Sequence, residues 1–195
     1  IDVVKLDMRF ELERLAYAMI IILVATLTAC IMSLILHLKP SDFPPLSLTL
    51  WQHILFWLLA SFCGVFGFSV MFNSPKELSA TAGIIGAIAN TLRLELVDLA
   101  SLPPAAAAFI GALTAGILAS VLKSKIGYPR ISLTVPSIVI MVPGLYLYRA
   151  IYNLGVMSLQ TSASWFAAAI LIILALPLGL IFARILTDKT FRYCT

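Results

Sequence analysis

Charge is what this sequence has least of. Asp, Glu, Lys and Arg make up 11% of its 195 residues, against roughly 25% in a soluble domain. Nine acidic residues cannot maintain a water-facing shell around a chain of this size, which excludes a soluble globular protein. Cysteine is scarce as well. Cys30, Cys63 and Cys194 are odd in number and widely spaced, so neither a disulfide framework nor a metal site is expected, and the two within apolar runs read as small hydrophobes. No H-E-x-x-H, G-x-S-x-G or P-loop occurs, and the acids show no paired arrangement suited to an intramembrane protease. An enzyme is therefore not expected, nor a cofactor. The 13 basic residues fall in short clusters beside apolar runs, without the aromatic interleaving of a nucleic-acid surface, so nucleic acid is not expected among the partners.

What is abundant is apolar length. Hydrophobic residues make up 62% and gather in runs of about 20, each matching a hydrocarbon core of ~30 Å at 1.5 Å per residue. A barrel would show short alternating strands instead. The chain reads as an all-α integral membrane protein of about six transmembrane helices, at roughly 15–37, 47–72, 77–92, 103–122, 131–154 and 162–186. The third run is short and rich in Gly and Ala, which suits a span that is tilted, re-entrant or sheltered by neighbours. "HLKPSDFPPLS" is the clearest linker. Three regions follow: an amphipathic lead-in and first span (1–40), a five-span membrane domain (46–186) and a tail (187–195). The lead-in "IDVVKLDMRFELERL" lacks the apolar core of a signal peptide, and a further segment is expected upstream of Ile1.

Basic residues orient the spans, because cytoplasmic loops retain Lys and Arg. With both visible ends in the cytoplasm, that side collects Lys5, Arg9, Arg14, Lys76, Lys123, Lys125, Arg130, Arg184, Lys189 and Arg192. Lys39, Arg93 and Arg149 remain for the other side. Small residues recur four apart at Ala107, Gly111, Ala115 and Ala119, and at Ala82, Gly86 and Asn90. In lipid, close approach of backbones drives helix association, so these stripes are expected at helix contacts.

The stretch "PSIVIMVPGLYLYRA" (136–150) stands apart. Pro143 cannot donate to the carbonyl of Val139, and Pro136 repeats the lesion one heptad earlier. Carbonyls freed in hydrocarbon cost several kcal/mol each, so the break implies a polar surrounding. A helix restarting at Gly144 would carry about half a positive charge at its N-terminus, suited to a carboxylate; an ordinary proline kink is the other reading. Tyr146, Arg149 and Asn153 then share one helical face. Arg149 must snorkel, find a partner or hold an anion. At the end of the third span, Asn90 and Arg93 lie three apart, with Glu95 and Asp98 on a different face. Glu77, Glu95 and Asp98 are the only acids between Phe43 and Leu186, so coupling to protons within this region must use one of them or borrow a group. His37 and His53, near span ends, read as interfacial.

"FNSPKELSATAGIIGA", followed by "IGYPRISLTVPSIVIMVPGLYLYRA", resembles the C-terminal half of the threonine/serine exporter family, which includes split two-protein systems for dicarboxylate (succinate) export. The matching positions are Pro75, Leu78, Ala82, Gly83 and Gly86, then Tyr128, Pro129, Pro136, Pro143, Gly144, Tyr148 and Arg149, over about residues 46–186. Residues 1–37 resemble the end of the family's first half. The resemblance implies a secondary transporter of the bacterial inner membrane that exports small hydroxy amino acids in exchange for protons. It also implies an upstream half or partner subunit, and a homo-oligomer is expected because few spans make a thin wall.

On that reading Gly144 and Arg149 meet the substrate carboxylate, and Tyr146, Tyr148, Asn153 and Asn90 offer hydrogen bonds. Glu95 or Asp98 would face an ammonium, with Glu77 and Arg93 as further coupling candidates. A dicarboxylate would use Arg93 as a second cation. A third reading makes the chain an assembly subunit whose polar residues lie at interfaces.

Overall fold

The computed structural model describes residues 49–188 and scattered positions between 13 and 36. The described positions from 13 to 35 are helical. The rest of the expected first span, the 37–47 linker, Cys30, Cys194 and the tail beyond Asp188 lie outside the described residues. Six helices follow in order: α1 (Leu50–Met71), α2 (Lys76–Asp98), α3 (Pro104–Ile126), α4 (Arg130–Val139), α5 (Gly144–Gly155) and α6 (Leu159–Thr187). No strand occurs among the described residues. Among the described residues five stretches are long and apolar enough to cross a membrane, α4 and α5 together forming one of them, Arg130–Gly155. The chain is an all-α membrane protein.

Local chemistry sets the helix ends. The Thr49 amide donates to Gln52 Oε1 at 3.1 Å, closing the start of α1. Pro75, Pro103 and Pro129 immediately precede α2, α3 and α4 in extended conformation, where a residue fixed at helical φ but lacking an amide costs nothing. α3 ends on Gly127 at φ 75°, a left-handed cap that a Cβ would strain. Lys123 and Lys125 lie in its last turn, against the negative end of the helix dipole.

The chain divides into two compact units. One takes in residues 1–44 and 144–167, the other 45–143 and 168–195. In the second unit α2 is the hub, packing on α1, α3 and α4. A Cβ on Gly86 would lie 2.5 Å from the Val65 side chain, and one on Gly83 2.9 Å from Phe62, so these glycines let α1 and α2 approach. Ala82, Ala107, Ala115 and Ala119 are fully buried, as helix packing requires of the small-residue stripes. The C-terminal part of α6 also packs against α3. A Cβ on Gly179 would sit 2.5 Å from the Phe109 carbonyl oxygen, an atom of rigid helix backbone that cannot swing away. Gly179→Ala should therefore lower the thermal midpoint in detergent, by an overpacking cost of about 1–3 kcal/mol. Gly144→Ala should leave it unchanged, because no described atom lies within 4 Å of a Cβ there.

The third span is longer than the expected 77–92. It runs 23 residues, to Asp98, and it has the largest buried share among the five candidate spans. The sheltered reading of that run holds and the short one does not, because Arg93 and Glu95 find partners within the membrane domain instead of ending the helix. The break occurs where the sequence puts it: α4 stops at Val139 and α5 restarts at Gly144. Two details differ. Pro136 lies inside α4, which continues through it. The Val139 carbonyl is not freed, since the Val142 amide turns back to it at 3.1 Å and the Met141 amide reaches Ile138 at 2.9 Å. The chain closes its own gap with a tight turn before Pro143.

Candidate functional site

In the first unit, α5 carries most of the expected substrate residues. The turn after it is tight: the Ser158 amide donates to Asn153 O at 2.9 Å, and Met157 adopts φ 63°. α6 thereby returns beside α5, and the buried Ser162 hydroxyl fastens the two by donating to Ala150 O at 2.6 Å. One turn further along, Trp165 meets α5. The Arg149 guanidinium lies 4.8 Å from the centre of the indole, and the Tyr146 ring meets the same indole edge-on at 5.4 Å. Both contacts are electrostatic as well as apolar, the ring face attracting the cation and the ring edges of its neighbour.

Tyr146 and Arg149, three apart on one face, are thus brought together by a tryptophan that sequence reasoning missed. Asn153 shares their face, but its Nδ2 donates to the Arg149 carbonyl at 2.7 Å. Tyr148 points elsewhere and pairs with Tyr152, ring centres 6.4 Å apart. Gly144 opens α5. All of these side chains apart from the glycine are half-buried, which suits a wall that water or solute can reach.

The second unit holds a separate row of polar groups along α1 and α2. Asn90 is buried, its Nδ2 donating to Ser61 Oγ at 2.9 Å and its Oδ1 accepting from Arg93 Nε at 3.0 Å. Its amide is engaged at both ends. One turn on, Glu95 Oε1 lies 3.2 Å from His53 Nδ1. Trp57 Nε1 approaches both imidazole nitrogens, at 2.9 Å from Nε2 and 3.2 Å from Nδ1, so Trp57, His53 and Glu95 form one polar cluster. Asp98 and Glu77 are both exposed, Glu77 in the first turn of α2, where the helix dipole favours a carboxylate.

His53 thus has a neighbour, Glu95, that its position near a span end did not indicate. The signal that would have found it is the hairpin geometry. With a short turn after Met71, residues about equally far from that turn on α1 and α2 lie side by side, as His53 does with Glu95. Among the described residues no group of three or more His, Cys, Asp or Glu could hold a metal ion. Cys63 is a free, exposed thiol.

Compared with known protein families, residues 57–186 match the family described as Threonine/Serine exporter, ThrE. That stretch includes most of α1 and all of α2 to α5, and runs to the last turn of α6. Comparison with curated proteins gave no match, and neither did comparison with solved structures. The match covers well over half of the chain, takes in both halves of the interrupted span, and is to a family of transporters: this chain belongs to the threonine/serine exporter family.

Proposed function

We propose that the chain exports small hydroxy amino acids such as threonine and serine across a bacterial inner membrane, in exchange for protons. The observation that carries this reading is the interrupted span within the family-matched region, whose restarted half sets Arg149 on the face of Trp165 beside Tyr146. A guanidinium stacked on an aromatic face is held in one orientation, as recognition of a carboxylate needs. Gly144, Tyr148 and Asn153 complete the proposed substrate set on α5, and Pro143 keeps the helix interrupted before it.

For coupling, the pairing of Glu95 with His53 favours Glu95 over Glu77 and Asp98. An imidazole and a carboxylate sharing a hydrogen bond in a half-buried setting can take up and pass one proton. Arg93, tied to Asn90, would link that proton to the packing of α1 on α2. An upstream half or partner subunit, and a second copy of the chain, are the proposed partners besides the bilayer and substrate.

Two experiments test this reading. Cells preloaded with labelled threonine should lose it faster when they express the chain than with an empty vector, and dissipating the proton gradient should remove the difference; equal loss would sink the proposal. Cysteines placed at Tyr146 and Asn153 should react with a water-soluble thiol reagent from one side of the membrane. Silence at both positions would favour an assembly subunit whose polar residues are packed away.

A further inference from the structure

A cavity of about 860 Å³ opens at one end of the second unit, where the C-terminus of α3, the N-terminus of α4 and the C-terminus of α6 meet. Its charged lining is Lys123, Arg130, Arg184 and Asp188, three cations against one carboxylate. Ile131 and Leu180 supply aliphatic wall. None of these residues belongs to the proposed substrate or coupling groups.

Arg130 is placed by the packing around it. Its Nη1 donates to Thr187 Oγ1 at 3.2 Å, and Gly116 leaves it room, since a Cβ there would lie 3.1 Å from Nη2. That Nη2 is buried and has no hydrogen-bond partner among the described residues. Three cations against one carboxylate leave the cavity with an excess of positive charge, which points to an anion. The first turn of α4 borders the same space and adds the partial positive charge of a helix N-terminus. Because three candidate spans end here, the cavity lies at the depth of lipid headgroups, and a cationic rim over aliphatic wall suits a phosphate that carries an apolar tail.

We propose that this cavity is a phosphate-binding site, filled by the headgroup phosphate of an anionic lipid or by free phosphate. The test uses the purified chain in neutral detergent, titrated separately with phosphatidylglycerol, phosphatidylcholine and inorganic phosphate, with bound species counted by native mass spectrometry. Phosphatidylglycerol should bind in preference to phosphatidylcholine, and Lys123→Gln and Arg184→Gln should each weaken it about fivefold, the loss expected of one cation near an anionic surface. Saturable binding of inorganic phosphate with the same sensitivity to both variants would also carry the proposal and would name the soluble source. Equal binding of the two lipids with no uptake of phosphate would overturn it. So would undiminished binding in a Lys123→Gln/Arg184→Gln double variant, whose two side chains are exposed and whose folding can be checked by its melting temperature.

Discussion

Arg149→Ala should reduce threonine export by roughly 10- to 100-fold at equal expression, the range expected when a hydrogen bond to a charged group worth ~1.5–3 kcal/mol is lost. The effect follows from how the side chain is held. Its guanidinium stacks 4.8 Å from the centre of Trp165, and Tyr146 braces the same ring from the edge. That arrangement keeps the fork of N–H donors in one orientation, as recognition of a carboxylate needs. Arg149→Lys should rescue only in part, because an ammonium keeps the charge but loses the planar stack and the two-pronged donor edge. Trp165→Leu should raise the substrate concentration needed for half-maximal export more than it lowers the maximal rate, since it loosens the arginine without removing it. Wild-type export by Arg149→Ala would show that the arginine only anchors α5 at the membrane surface.

Glu95→Gln should separate transport from its driving force. In proteoliposomes the variant should still exchange labelled for unlabelled threonine, while an imposed pH gradient should no longer drive net movement. The amide keeps the size of the carboxylate and can still hydrogen-bond to His53 Nδ1, now 3.2 Å from Glu95, but it cannot take up a proton. His53→Gln should weaken the pH dependence in the same direction, and Glu77→Gln should leave it intact, since that exposed carboxylate sits at the solvated start of α2. A Glu95→Gln variant that remains fully gradient-driven would move the proton to another group.

Local chain chemistry was readable from the sequence, and contacts between helices mostly were not. Pro143 and Gly144 mark the interruption because one residue lacks an amide and the next begins a helix easily; Ala82, Gly86 and Gly111 mark close contacts because a larger side chain would not fit. The Val139 carbonyl shows the limit of that reading. Counting amides predicts a missing bond, but a turn of another pitch supplies it from Val142. The length of α2 was misjudged for a related reason: charges at 93 and 95 look like a loop until the partners that accept them on neighbouring residues and on α1 are known. Trp165 gave no local signal at all, since its role depends on the turn at 156–158 returning α6 beside Arg149. Asn90 carried a signal with two meanings, and its amide is bonded to Ser61 and Arg93 in the packed protein.

Movement of threonine and serine by the chain can be read by counterflow: the chain is reconstituted in vesicles loaded with unlabelled threonine, labelled threonine is supplied outside, and unlabelled serine or succinate is added as competitor. Rapid uptake of label that serine suppresses and succinate does not is the expected result. Uptake that only succinate suppresses, or label that enters no faster than in protein-free vesicles, would contradict it.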